Sequence, residues 1–397
     1  MRILFLCHRV PFPPNRGDRI ATHRRLLHLA ERGRVTCLSF EMETADTASV
    51  SELRSLGIDM ITDQFRTGRR QFAALPWLIT NTPMTIRCFA SRKLQKAADH
   101  FVKQGAGVIV AYSSCMAQFV ESARAPRVME FGDLDSEKWH QYSQETSGIS
   151  SWVYAREART LLKYEQRIAR TFDSSLVVSK AEAETFLERT GVAPHIVGNG
   201  VDLQRFSPSP SIAKIPGLIV FTGIMNYRPN VDGCVRFATK ILPLICTKYP
   251  NAKFRIVGAE PSKEIRALAS DRIEVTGPVR ETADHLRAAV VAVAPLRLGR
   301  GLQNKVLEAM ACAVPIVASP NATAGVDARA GEHFLLANSD EEFAASVLKL
   351  LHSPDAAARI GAAARAQMEV RYRWERALQD YDSAIDAAIL NYNNKNH

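Results

Sequence analysis

The stretch that most constrains this chain is LRLGRGLQNKVLEAMACAVPIVAS, residues 296–319. Its two glycines permit a tight turn, Asn304 is a suitable N-cap, and the apolar run after Pro315 is typical of a buried strand. We therefore expect a glycine-bearing loop, a helix from residue 305 to about residue 312, and then a strand. The free backbone amides at the start of such a helix can bind a phosphate.

Lys305 and Glu308 lie three residues apart, so they share one face of this helix near its first turn. On that face an ammonium group can meet a diphosphate while a carboxylate accepts hydrogen bonds from sugar hydroxyls. The same spacing is that of an ordinary surface ion pair, which stabilises a helix by roughly a few tenths of a kcal/mol. Spacing alone leaves both interpretations open.

With 397 residues the chain is longer than one hydrophobic core usually supports, which indicates two domains. It is 46% hydrophobic and 23% charged, as in a soluble globular protein. No apolar run approaches the ~20 residues of a membrane span. The opening MRILFLCHRVPFPP has too short an apolar core for a signal peptide and favours a buried strand. The seven cysteines form no C-x-x-C pair, which favours reduced thiols in the cytoplasm.

Positive charge is concentrated near the start of the chain. The net charge is +10, and residues 1–100 hold 16 Lys/Arg against 9 Asp/Glu. Such an excess can serve nucleic acid, anionic lipid or an anionic substrate, but no zinc-finger spacing or RNP-like aromatic pattern supports nucleic acid. Residues 66–96 combine several cations with Leu75, Trp77 and Leu78, a composition typical of docking on an anionic membrane. A solvated basic face over a packed Trp77 would give the same pattern.

Two series of alternating strands and helices follow one another. RILFLC, VTCLSF, GVIVAYSS, APRVMEF and SSLVVS predict strands of the first series, and a long helix is expected over about residues 151–171. GLIVFTG, AKFRIVG, RIEVTG and AVVAVAPL predict a second series, and the Pro-, Ser- and Gly-rich residues 195–216 between the two are typical of a hinge. The pattern predicts an α/β protein with two doubly wound domains facing across a cleft.

Four motifs resemble those of the retaining glycosyltransferases of family 4, which have the GT-B fold of two Rossmann-like domains. They are VVSKAEAETF (177–186), GNGVDLQRFSP (198–208), FTGIMNYRPNVDG (221–233) and NKVLEAMACAVPIVAS (304–319). The N-terminal FLCHRVPFPPNRGDRIATHRRLLHLAERG resembles the sugar transferases of bacterial exopolysaccharide loci, those associated with PEP-CTERM and exosortase systems. The resemblance implies an acceptor-binding domain at 1–198, a nucleotide-sugar-binding domain at 199–375, and a C-terminal helix at 376–397 that returns to the first domain.

The resemblance also implies roles for residues of these motifs. Lys305 would pair with the donor diphosphate, and Glu308 would accept hydrogen bonds from the ribose hydroxyls. Arg228 and Arg300 would be further cations that stabilise the leaving diphosphate, although Arg300 stands where many relatives carry a glutamate. The other donor contacts would come from Gly17, Gly223, Val279, Gly301, Leu302 and Asn304.

On the acceptor side the resemblance points to His8 and to the loop after APRVMEF. Asp133 and Asp135 stand there where many relatives carry a His-Asp pair, and Asp133 is also a catalytic candidate. His8 and His23 are candidates because their loops border the predicted cleft, yet an ordinary structural histidine is the alternative. Asp133-Leu134-Asp135 also spells D-x-D, the metal signature of the other large glycosyltransferase fold. We expect no metal and no cofactor, with a nucleotide-diphosphate sugar as co-substrate.

The predicted function is that of a metal-independent glycosyltransferase of the hexosyltransferase type. It would move a sugar from a nucleotide-diphosphate donor, UDP favoured, to a glycan or lipid-linked acceptor with retention, in exopolysaccharide or surface glycan synthesis. The alternatives are a GT-B nucleotide-sugar epimerase or hydrolase and a non-catalytic nucleotide-sugar-binding protein. No nucleic-acid partner is expected. The expected location is the cytoplasm, on the inner face of the plasma membrane if residues 66–96 dock there.

Overall fold

The computed structural model describes residues 1–65, 80–299 and 301–396. The chain divides into two units, one of Met1–Val197 with Leu378–His397 and one of Gly198–Ala377. These limits lie close to the expected domain boundaries after residues 198 and 375. Most of the predicted membrane-docking segment and the predicted cation Arg300 lie outside the described residues.

Seven strands form the sheet of the first unit: β1 (Arg2–Cys7), β2 (Arg34–Glu41), β3 (Asp59–Gln64), β4 (Val108–Tyr112), β5 (Arg127–Gly132), β6 (Ser174–Val177) and β7 (His195–Ile196). They are parallel, in the order β3-β2-β1-β4-β5-β6-β7. The five predicted strands are all found. The edge strands β3 and β7 escaped prediction because one is polar and the other has two residues, so neither has the apolar run of a central strand.

The helices of the first unit surround this sheet. They are α1 (Gly17–Arg32), α2 (Asp46–Ser55), α3 (Met84–Cys88), α4 (Arg92–Lys103), a 3-10 helix (Ser114–Phe119), α5 (Asp135–Glu145), α6 (Gly148–Thr171) and α7 (Lys180–Thr190). The long predicted helix is α6, and it begins at Gly148. Two separate apolar clusters, each containing residues of β1, form the core, as expected when helices cover both faces of a parallel sheet.

The second unit repeats this architecture with six parallel strands: β8 (Leu218–Thr222), β9 (Lys253–Val257), β10 (Ile273–Val275), β11 (Val291–Ala294), β12 (Ile316–Ala318) and β13 (Leu335–Leu336). Their order is β10-β9-β8-β11-β12-β13. Its helices are α8 (Arg228–Arg236), a π-helical turn (Phe237–Ile241), α9 (Leu242–Lys248), α10 (Lys263–Arg266), α11 (Thr282–Ala288), α12 (Asn304–Ala311), α13 (Pro320–Thr323), α14 (Asp340–His352) and α15 (Pro354–Arg371). The last helix, α16 (Trp374–Asn396), begins in the second unit and belongs to the first unit from Leu378 onward. The prediction of two doubly wound α/β domains is confirmed.

In each sheet the strand order reverses once, between β1 and β4 in the first unit and between β8 and β11 in the second. At such a reversal the loops that follow the two neighbouring strands leave toward opposite faces of the sheet. A crevice opens between them at the carboxyl ends of the strands, and this is where doubly wound sheets bind ligands. The loops after β1, β4, β8 and β11 are therefore the places to look for a site.

The middle of the stretch 195–216, predicted as a hinge, packs within the second unit. Val201 and Phe206 are buried in its apolar core. The Arg365 guanidinium donates to the carbonyl oxygens of Leu203 (3.2 Å) and Phe206 (2.8 Å), which binds the stretch to α15. Val201 to Phe206 therefore belong to the second unit, and the hinge stays a prediction.

The C-terminal helix α16 packs against the first unit from Leu378 onward. Tyr381, Ala384, Ile385 and Ala388 are fully buried there in one of its two apolar clusters. Polar contacts with α1 add to this packing, because Asp382 accepts from His28 Nε2 (2.9 Å) and from Arg32 Nη1 (2.5 Å). The end of the chain is thus part of the core of the first unit.

Replacing the buried Ile385 by alanine tests this packing. We expect Ile385→Ala to lower the free energy of unfolding of the first unit by about 2–5 kcal/mol, because the substitution leaves a cavity in a closed core. Leu390→Ala on the same helix is the matched control, since Leu390 is 60% exposed and its loss should cost less than ~0.5 kcal/mol. Chemical denaturation of both variants measures the difference, and equal costs would contradict the packing described here.

Candidate functional site

A loop and a helix form the centre of the candidate site in the second unit. The chain leaves β11 and passes through Gly301, whose φ of +68° favours glycine, before it enters α12. Ser319 fixes the start of this loop, because its hydroxyl donates to the carbonyl oxygen of Leu296 (2.6 Å). The helix begins at Asn304 with Gln303 as the flanking residue, so the prediction of Asn304 as N-cap was wrong by one position.

Lys305 lies in the first turn of α12, half-buried and directed at the loop after β8. Its ammonium group donates to Asn230 Oδ1 (2.8 Å) and stands 5.3 Å from the centroid of the Phe221 ring. Burial lowers the pKa of Lys305 from its ordinary value of 10.5 to about 8, and the nearby Cys234 and Glu308 offset this only in part. This cation is desolvated and held by a neutral amide and a ring, so an anionic ligand would satisfy it better.

The loop after β8 is tightly constrained around Lys305. Asn230 Nδ2 donates to the carbonyl oxygen of Ile224 (2.8 Å), which orients the amide oxygen toward the lysine. A Cβ on Gly223 would lie 2.6 Å from Asn230 Nδ2, and a Cβ on Gly258, whose φ is +151°, would lie 1.7 Å from the Gly223 carbonyl oxygen. Two glycines therefore allow the chain after β8 and after β9 to meet. Neither Asn230 nor Gly258 was named as a site residue from the sequence. Asn230 lies in the motif at 221–233, and Gly258 directly follows β9.

Glu308 follows one turn after Lys305 and is also half-buried. Burial raises the pKa of Glu308 to about 7, against the lowering effect of Lys305 and Arg205. Arg205 in turn pairs with Glu281 (Nε–Oε1 3.1 Å), the residue that caps α11. The Glu308 carboxylate thus has Lys305, Arg205 and Glu281 as its charged neighbours. Part of its surface stays accessible to a ligand.

The other predicted donor residues lie on the same unit, apart from Gly17. Arg228 is exposed and begins α8, two residues before Asn230. Val279 and Leu302 are partly buried and pack against the apolar core. Gly17 opens α1 of the first unit and is exposed. The structure brings Gly223 and Lys305 together, with 3.5 Å between a Cβ on the glycine and Lys305 Cε.

In the first unit His8 follows β1 and forms part of a charged group. Its Nε2 lies 3.4 Å from Asp18 Oδ2, and its ring stacks on Tyr112 with centroids 5.9 Å apart. Burial acts to raise the pKa of Asp18, but the hydrogen bond from His8 and the charges of Arg9 and Arg16 hold it well below its usual range. Asp18 went unnoticed in the sequence because it stands in a predicted loop beside more conspicuous cations.

The loop after β5 carries the predicted Asp133 and Asp135. Asp133 is half-buried, and Asp135 begins α5 and accepts from Ser114 Oγ (3.3 Å). Neither belongs to a group of three or more His, Cys, Asp or Glu placed to hold a metal ion within the described residues. Just before this loop, the fully buried Glu130 forms an ion pair with Arg25. His23 is buried against Phe12 at 5.5 Å, which is the surrounding of a structural histidine.

Comparison with known proteins identifies the second unit. Residues 216–353, which include β8, Asn230, Lys305 and Glu308, match the family described as "Glycosyl transferases group 1". Over these residues the second unit is similar to group 1 glycosyl transferases. The match supports the predicted glycosyltransferase family at the level of group 1.

No helix in the described part of the chain is long and apolar enough to cross a membrane.

Two curated relatives and one solved structure extend the comparison. The chain is 25% identical over 236 residues to a GDP-mannose-dependent monoacylated alpha-(1-6)-phosphatidylinositol monomannoside mannosyltransferase of Corynebacterium glutamicum, covering 53% of this chain and 61% of the relative. It is 27% identical over 259 residues to the D-inositol 3-phosphate glycosyltransferase of Rhodococcus erythropolis, covering 58% and 57%. The chain thus spans less than two thirds of these relatives.

The Anabaena protein Alr3699/HepE, solved in complex with UDP and glucose, has the same fold. The two structures superpose with a TM-score of 0.70 and 15% identity over 98% of this chain and 100% of the other. At this identity the likeness establishes the GT-B fold of two Rossmann-like domains.

The lowered pKa of Lys305 predicts a pH dependence of anion binding. If a diphosphate binds to protonated Lys305, its dissociation constant rises as pH increases through about 8, by roughly tenfold between pH 7 and pH 9. Lys305→Arg keeps its charge over this range, so the rise should be absent from that variant. Calorimetric titration with UDP and GDP measures both profiles; a wild-type profile as flat as that of the arginine variant would contradict the role of Lys305.

Gly258→Ala tests the contact beneath this site. A Cβ would overlap the Gly223 carbonyl oxygen, so we expect a loss of at least ~2 kcal/mol in the stability of the second unit together with weaker nucleoside diphosphate binding. Gly191→Ala is the control, because Gly191 also has a positive φ but no atom within 4 Å of an added Cβ. Thermal unfolding with and without UDP measures the effect. Equal losses would mean that backbone strain, and not the contact, matters.

Proposed function

We propose that this protein is a retaining glycosyltransferase that uses a nucleoside-diphosphate sugar as donor. The observation that carries the proposal is the desolvated Lys305 ammonium group, held beside Gly223 at the strand-order reversal of a group 1 glycosyl transferase domain. A cation in this position suits a diphosphate, which gains negative charge as the sugar leaves. Glu308, one turn further along the same helix, suits the ribose hydroxyls.

In the proposed reaction the bond between the anomeric carbon and the diphosphate oxygen breaks, and the acceptor oxygen forms its bond on the same face of the sugar. The acceptor proton passes to the departing diphosphate, so no dedicated protein base is required. Lys305, the amides at the start of α12 and the cations Arg228 and Arg300 stabilise the leaving group. The helix N-terminus contributes about 0.3–1 kcal/mol, so the cations carry most of this stabilisation.

The remaining residues complete the proposed site. On the donor side, Gly17, Gly223, Gly301, Leu302 and Asn304 leave room for the donor or offer backbone contacts to it, and the backbone of Val279 contacts the base. On the acceptor side, His8 and Asp135 orient the acceptor hydroxyl, and Asp133 holds the donor sugar or relays the acceptor proton. We expect the transfer to need no metal and no cofactor beyond the donor.

The proposed donor is a UDP-sugar, and the proposed acceptor is a glycan or a sugar linked to lipid. UDP is the nucleotide in the HepE complex, whereas the Corynebacterium relative is named for GDP-mannose, so both bases belong in the test. The same relative is named for a phosphatidylinositol mannoside acceptor, which favours a lipid-linked acceptor. We further propose a role in exopolysaccharide or surface glycan synthesis at the cytoplasmic face of the plasma membrane, on the strength of the N-terminal resemblance.

Lys305→Ala and Glu308→Ala test the site. Each should reduce transfer from the preferred donor at least tenfold while leaving thermal unfolding nearly unchanged, because both side chains are half-buried and neither is part of the apolar core. The donor is first identified by a thermal-shift screen of UDP, GDP and their sugars, in which a ligand at 100 times its dissociation constant adds ~2.7 kcal/mol.

Lys349→Ala and Glu341→Ala are the matched controls, since both residues are exposed on α14 of the same unit. These variants should retain wild-type transfer. Product analysis separates the alternatives: free sugar or an isomerised donor without any acceptor product would indicate a hydrolase or epimerase. Donor binding without turnover would indicate a binding protein. Near-normal transfer by both site variants would defeat the assignment of the site.

A further inference from the structure

The outward face of α6 has an unusual composition. Ile149, Trp152, Arg159, Lys163, Arg167 and Arg170 are all exposed and follow one another at intervals of three, four or seven residues. At 3.6 residues per turn these intervals place them on a single face about 30 Å long. Ile149 is 84% exposed and Trp152 is 54% exposed, so the face, which we call the α6 stripe, begins with two large apolar side chains and continues with four cations.

The acidic residues of α6 point the other way. Glu157 is fully buried and accepts from the backbone amides of Met84 and Thr85, both at 2.8 Å. Glu165 is also fully buried, against the amide of Ser136 (3.4 Å). The helix therefore keeps both of its carboxylates in the interior, whereas Arg159, Lys163, Arg167 and Arg170 are on the surface.

The cations of the stripe differ in their surroundings. Arg167 pairs with Glu121 (Nη2–Oε2 3.1 Å), and Arg170 donates to the carbonyl oxygen of Thr190 (3.2 Å). Arg159 and Lys163, which stand nearest to Trp152 along the stripe, are exposed. The first half of the stripe is therefore the part best suited to an external partner. It contains the apolar pair Ile149 and Trp152, followed by the cations Arg159 and Lys163.

We propose that the α6 stripe docks on an anionic membrane surface. Ile149 and Trp152 would enter the boundary between headgroups and acyl chains, where an amphipathic indole ring is favoured, and Arg159 and Lys163 would lie against anionic headgroups. Long cationic side chains suit this place because their stems pack on apolar surface while their charges reach the phosphates. The docking proposal deepens the proposed function, and it rests on that function for the idea that the acceptor is held in a membrane. The α6 stripe is a different surface from the donor site.

Sedimentation of the full-length protein with vesicles tests the proposal. Vesicles of equal parts phosphatidylglycerol and phosphatidylcholine should bind the protein at low salt, and vesicles of phosphatidylcholine alone should bind it much less. The double variant Arg159→Gln, Lys163→Gln should bind anionic vesicles at least tenfold more weakly, since each near-surface cation contributes about fivefold. Ile149→Ser with Trp152→Ser should lower binding to a similar extent.

The matched control is Lys103→Gln with Arg124→Gln, which removes the same charge from exposed positions of the same unit outside residues 66–96. This variant should bind anionic vesicles within about twofold of the wild type. Equal loss in both charge variants would mean that general positive charge and not the α6 stripe is responsible. Wild-type protein that stays in the supernatant with anionic vesicles would also overturn the proposal.

Two further measurements keep the inferences separate. Calorimetric titration with UDP and GDP should give wild-type affinity in all stripe variants, so a failure of donor binding would count against the proposed function and leave the docking proposal intact. Sedimentation velocity without vesicles reports self-association. If the stripe variants changed the oligomeric state and not vesicle binding, the stripe would be a contact between copies of this chain, and the membrane proposal would be wrong.

Discussion

Desolvation of the Lys305 ammonium group is the constraint on which the arrangement of the second unit's site depends. A desolvated cation is normally paired with a counter-charge, yet the ammonium group donates to the neutral Asn230, and Phe221 offers only a ring face. Burial lowers the pKa of Lys305, and the nearby Cys234 and Glu308 offset this only in part. The position therefore favours an anion, because a bound diphosphate would place negative charge beside the ammonium group.

The surrounding backbone explains how such a group is held in place. Asn230 is oriented by the carbonyl oxygen of Ile224, and Gly223 and Gly258 allow two strand-end loops to touch. None of these contacts depends on Lys305 being charged, so the cradle would persist when the lysine loses its proton. A preformed cradle of this kind lowers the cost of ordering a ligand.

The corresponding edge of the first unit follows a different electrostatic pattern. Asp18 has His8 and Arg9 within 3.4 Å, and Glu130 pairs with the fully buried Arg25. Each of these two carboxylates therefore has a basic partner within the same unit. The carboxylates of α6 also lie inside the unit, where Glu157 accepts from two backbone amides and Glu165 from one, while Arg159 and Lys163 face outward.

Sequence alone determined the two doubly wound domains, the helix that carries Lys305 and Glu308, and most of the central strands. These features depend on local periodicity and on apolar runs, which are visible without knowing what packs against them. It did not reveal Asn230, Gly258 or Asp18, nor that Val201 and Phe206 of the predicted hinge would be buried in a core. Those depend on contacts between residues distant in sequence, and the same holds for the separation of charges on α6. Only the tertiary structure decides which side chains are removed from water, and that removal sets the pKa of Lys305 and the pattern of charge left at the surface.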